Sequence, residues 1–153
     1  MTSISTSQPE TLQVGDDSAV IRVSSAMSDG AVVALEVLIP AGGGPPMLHR
    51  HAADELYRVE TGTLTFYMAN DEGEIVITQN EAGDVVYIPG GAEHTIRNET
   101  SRPSKAFVVF SGDAAPMENF LRASAEMARD GSLDPKAVTN AATRHGIEMT
   151  RPL

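Results

Sequence analysis

Apolar and polar positions alternate with a period of two over most of residues 18–111, and the period becomes helical beyond Gly112. Val33, Leu35, Val37 and Ile39 mark the inward face of a strand expected over 31–39. Ser18 to Ser24 reads the same way, with Ala19, Ile21 and Val23 on one face. From Met47 to Glu60 the odd positions His49, His51, Glu55, Tyr57 and Val59 share a face, and a turn is expected at Ala52-Ala53-Asp54. Further strands are expected at 64–69, 74–79, 85–88, 94–98 and 105–111, separated by turn signals such as Ser28-Asp29-Gly30, Asn70-Asp71-Glu72-Gly73 and Pro89-Gly90-Gly91. About nine short strands at this spacing suit an all-β sandwich or barrel.

Pro116 to Asp130 predicts a helix with Met117, Phe120, Leu121 and Met127 as its apolar contributors and Gly131 as its C-cap. A second helix is expected from Asp134, as cap, and Pro135 through to Arg144. The expected organisation is a polar arm at 1–10, flexible or docked on a partner, then a β-barrel at 11–112, then a helical extension at 113–153.

Composition narrows the field. With 153 residues and 41% apolar content, one domain with a sizeable core is possible, and the absence of Trp leaves Val, Ile, Leu, Met and Ala to build it. The net charge of −10 repels phosphate backbones and anionic lipid surfaces, so neither nucleic acid nor membrane is an expected partner. Cysteine is absent, which excludes disulfides, thiolate ligands and cysteine nucleophiles. The first ten residues show neither a basic nor an apolar signal region, and no apolar run is long enough to span a bilayer. A cytoplasmic protein is therefore expected.

Chemistry concentrates in two segments. The first runs Gly43, five residues, His49, one residue, His51, three residues, Glu55, six residues, Gly62. The second runs Gly83, five residues, Pro89, one residue, Gly91, two residues, His94, three residues, Asn98. Histidines two apart on an extended chain point to one face about 7 Å apart, close enough to converge on one ion. Three imidazoles and a carboxylate suit a divalent transition metal. Gly43, Gly62 and Gly83 are expected at turns, where a positive φ costs glycine little.

These two segments, with the strand pattern over 15–111, resemble the cupin superfamily: Gly43–Gly62 matches its first motif and Gly83–Asn98 its second at every fixed position. The tail is similar to that of quercetin-dioxygenase-like single-domain cupins. The resemblance implies a small jelly-roll (double-stranded β-helix) barrel with a two-helix C-terminal extension. It implies that His49, His51, Glu55 and His94 hold one divalent metal (Fe, Mn, Ni, Cu or Zn), leaving positions for water, substrate or dioxygen. By the same analogy the protein is a homodimer that joins through its arm or an edge strand.

The expected function is a metal-dependent oxygenase acting on a small apolar or aromatic molecule. A metal-assisted isomerase or cyclase with a polyketide-like substrate, or a non-catalytic small-molecule-binding cupin, would use the same ligands. Met47, Tyr57 and Phe66 fit the inward phase and are the expected substrate contacts, joined by Phe120 if its helix lids the barrel. Arg50, Arg58 and Arg97 alternate away from this face, Glu60 and Glu93 suit surface positions, and His145 suits a helix C-terminus.

Overall fold

The computed structural model describes residues 8–153. Two antiparallel sheets face each other. The first has the order β1 (Glu10–Val14), β2 (Asp17–Val23), β3 (Val32–Ile39), β10 (Ser104–Ser111), β5 (Asp54–Thr61), β8 (Val85–Ile88). The second runs β11 (Glu148–Pro152), β4 (Met47–Arg50), β9 (His94–Arg97), β6 (Thr63–Ala69), β7 (Ile75–Glu81). The core lies between them. Alternation delivers it: Val33, Leu35, Val59, Leu64, Ile88 and Val108 are buried from facing strands. This is the jelly-roll barrel, all-β apart from one helical turn between β2 and β3 and the two helices after β10.

Three elements were not legible in the alternation. β1 opens at Glu10, inside the segment expected as an arm; residues 1–7 of that arm lie outside the described residues. A single helical turn, α1 (Ser25–Ser28), is capped by the Ser24 hydroxyl and ends at Asp29 with φ +54°, so the expected turn is the end of a helix. β11 carries Glu148, Arg151 and Pro152 with no apolar alternation, because it is an edge strand paired only to β4. The predicted break between the histidines and Glu55 is present, with β4 ending at Arg50 and β5 starting at Asp54.

The glycines divide into two kinds. Gly62 has φ +76° and Gly83 has φ +95°, as a turn reading requires. Gly43 is different from that expectation. Its neighbours Gly42 and Gly44 take the left-handed conformation, whereas Gly43 is needed for close approach, since a Cβ there would lie 2.6 Å from the Asp17 carboxylate.

Helix α2 (Ala115–Asp130) starts with Pro116 in its first turn and ends at Gly131, and α3 (Pro135–Arg144) is capped by Asp134, whose carboxylate accepts from Ala137 N at 2.8 Å. His145 is the C-cap of α3. Buried Glu118 docks α2 on the barrel: it accepts from Ser25 N at 2.7 Å and from Arg122 Nε at 3.1 Å, and Arg122 also reaches Glu10. No helix among the described residues is long and apolar enough to cross a membrane.

Candidate metal centre

Four side chains from three strands and one loop converge inside the barrel. His49 lies on β4 directly opposite His94 on β9, His51 follows the end of β4, and Glu55 is on β5 of the other sheet. Each residue offers a donor atom within 4.8 Å of the other three, and none is more than 9% exposed.

Backbone carbonyls orient two of the rings. His49 Nδ1 lies 3.3 Å from Met47 O and His94 Nδ1 lies 2.8 Å from Ala92 O, each two residues back. With Nδ1 donating to these carbonyls in both, each ring turns Nε2 inward, the atom that would meet an ion. Glu55 Oε1 lies 2.5 Å from His51 Nε2 and 3.0 Å from His94 Nε2. Glu55 Oε2 and His51 Nδ1 are buried without a hydrogen-bond partner. An orphaned carboxylate oxygen beside three imidazoles is costly unless a cation meets it. The donor set and that orphan fit a divalent transition metal.

The electrostatics agree. Burial lowers His49 to about 4, helped by the charge of His94, so its ring is neutral and able to ligate at neutral pH. Burial alone would raise Glu55, but its hydrogen bonds with His51 and His94 hold it well below the usual carboxylate range. Burial works against a charged His94, yet the bond to Glu55 raises it overall. Tyr57 lines the space beside Glu55, and burial, reinforced by that carboxylate, raises its phenol well above its ordinary value and keeps it protonated.

Three of the four, His49, Glu55 and His94, line an apolar cavity of about 450 Å³, and His51 stands outside its lining. Met47, Tyr57 and Phe120, the expected substrate contacts on the strands and first helix, line it. Phe66 does not; it is buried behind Tyr57, edge to face with ring centroids 5.2 Å apart. Met117 and Leu121 of α2 and Val138 of α3 line it as well, so both C-terminal helices contribute to its wall. Sequence reasoning missed Asp17, Ser124 and Met149, which also line the cavity. None of the three left a clear signal, since Asp17 stands just before the strand expected at 18–24. Arg50 pairs with Glu93 at 3.0 Å, Arg151 holds the same carboxylate, and Arg97 donates to the carbonyls of Gly42 and Gly44; none of them lines the cavity.

A barrel of this topology with this four-residue cluster defines a cupin, and the chain belongs to the cupin superfamily: residues 35–110 match the Cupin domain family. The fold is shared with an oxalate decarboxylase variant from B. subtilis (TM-score 0.63, 15% identity, 98% of this chain and 42% of that one). It is shared also with an oxalate oxidase (0.55, 18%, 84% and 72%). A sugar phosphate isomerase of the cupin superfamily from Silicibacter pomeroyi DSS-3 is similar as well (0.52, 21%, 65% and 61%). At these identities the likeness concerns the fold alone. No curated protein sequence matches the chain.

Proposed function

We propose that this cupin is a metal-dependent enzyme, an oxygenase acting on a small, largely apolar or aromatic substrate. The observation that carries the reading is the position of the metal-ligand set: His49, Glu55 and His94 line an apolar cavity large enough for a small organic molecule. His49, His51, Glu55 and His94 would hold the ion, which when bound supplies Lewis-acid or redox chemistry. The protein's own contribution is positional. Apolar walls from Val108, Leu35 and Phe120 displace water and take up the substrate body, and Met47 flanks His49. The protonated Tyr57 phenol provides a hydrogen-bond donor beside Glu55 for a substrate oxygen.

The test is elemental analysis of anaerobically purified protein followed by oxygen-uptake measurements with a flavonol panel. Metal near one equivalent with substrate-dependent oxygen uptake supports the reading. Product formation without oxygen uptake would replace it with an isomerase or cyclase, and metal-loaded protein inert toward the panel would overturn it.

A further inference from the structure

The charge of the cavity wall restricts what can enter. Among the described residues no lysine or arginine lines it, while three carboxylates do: Asp17, Glu55 and Asp134. Glu55 is committed to His51 and His94, and Asp134 caps α3. Asp17 is less engaged. Its Oδ2 accepts a long 3.3 Å bond from Gly44 N, and its Oδ1 accepts none from the described residues. Burial raises its pKa, with Gly44 N and the charge of Arg97 pulling the other way. Arg97 directs its guanidinium to the carbonyls of Gly42 and Gly44, outside the lining.

A second feature indicates that the wall is built for a ligand. Ser124 of α2 lines the cavity at 3% exposure, and its hydroxyl has no hydrogen-bond partner. A helical serine can bond to the carbonyl one turn back, and a buried hydroxyl that does not is unsatisfied until another polar group meets it.

Resting on the proposed function, we infer that the cavity selects molecules with a metal-binding oxygen head and an apolar body free of negative charge, and that Asp17 discriminates against anionic tails. An anion entering this space loses its water, finds no cationic side chain and meets Asp17. A neutral tail avoids that penalty, and an ammonium gains a carboxylate partner. Dicarboxylates and phosphorylated sugars are the ligands such a lining disfavours.

Three catechols of similar size separate the possibilities: dopamine with a cationic tail, 4-ethylcatechol with a neutral one and dihydrocaffeic acid with an anionic one. Zinc-loaded protein is used, because zinc carries no redox chemistry and the catechols remain intact. Titration calorimetry is expected to rank dopamine and 4-ethylcatechol at least about tenfold tighter than dihydrocaffeic acid. In Asp17→Asn, with zinc content and melting temperature verified, the gap narrows to within about threefold. Dihydrocaffeic acid binding as tightly as 4-ethylcatechol to the native protein overturns the selection rule and leaves the metal-site reading standing. A gap unchanged in Asp17→Asn overturns the role of Asp17. Failure of all three catechols to bind zinc-loaded protein overturns both the selection rule and the proposed function.

Discussion

His49 and His94 are direct cross-strand partners between β4 and β9, with ring centroids 4.5 Å apart. They are the only register pair joining these two strands among the described residues. A metal held by both would therefore clamp a junction that the backbone ladder secures weakly.

His94→Ala removes one ligand and that clamp together. Altering a group behind a metal ligand already costs about 10–100-fold in affinity, so loss of the ligand itself should exceed about a hundredfold. Metal content and melting temperature should fall together. Asp71→Ala, in the exposed β6–β7 turn, serves as the control and should retain its metal. Unchanged metal stoichiometry in His94→Ala by elemental analysis would remove His94 from the site.

Metal uptake should release a proton. With no ion bound, Glu55 raises His94, so the Glu55–His94 pair holds a proton that a cation must displace. His49, lowered to about 4, is already deprotonated and contributes none above pH 5. Affinity should fall as pH falls, by about tenfold per unit for one proton, over the range just below the raised His94 value. Chelator competition between pH 6 and pH 8 measures the slope. A flat profile would contradict the proton-sharing arrangement.

Much of the barrel was legible because most inward positions alternate with outward ones. In Val33 to Ile39 the expected inward residues Val33, Leu35 and Ile39 are buried, whereas the unbroken apolar run of Lys105 to Ser111 conceals a burial that alternates residue by residue. The ligand set was legible for another reason, since His49 and His51 share a face by spacing and the glycines and Pro89 mark the bends. Phe66 misled because it fits the inward phase; being inward on β6 places it behind Tyr57 instead of at the cavity. Asp17 and Ser124 reach the cavity through the packing of β2 and α2 against the barrel, which no local period encodes.

Asp17 also predicts a stability difference. Its folded pKa lies above its ordinary value of 3.8, so over that interval the folded state holds a proton that the unfolded chain has released. Stability is therefore lost as pH rises from about 3.8 through the folded pKa, and the loss persists above it. Asp17→Asn should be more stable than the parent at pH 7, with the gap closing as pH falls toward 3.8. Paired denaturant midpoints of the metal-free proteins across this range would reveal it, and a gap independent of pH would exclude Asp17 as the source.

Gly44 and Gly73 both have positive φ, at +101° and +80°, but their surroundings differ. A Cβ at Gly44 would collide with the Ile96 carbonyl oxygen of β9, whereas one at Gly73 meets nothing. Gly73→Ala should cost about 1–2 kcal/mol from backbone conformation alone. Gly44→Ala adds a backbone clash and should cost about 2–4 kcal/mol. Equal losses in urea titration would mean that the glycine loop yields freely to β9.

The C-terminal strand is the less expected support of the metal centre. β4 meets β9 at one register position but β11 at four, with Met149 opposite His49 and Arg151 opposite Leu48. Thr150 Oγ1 adds a bond to Leu48 O at 3.0 Å, and Ile147 just before the strand is 1% exposed. Most of the pairing that fixes the His49 backbone thus comes from residues more than 90 positions later in the chain. A chain ending at Ile147 keeps that buried plug and all four ligand residues yet loses the ladder beside His49. It should release metal to a chelator at least about tenfold faster than the full chain, an effect of the size seen when groups supporting a ligand are removed. Equal release rates would show that β9 and the ion hold β4 without β11.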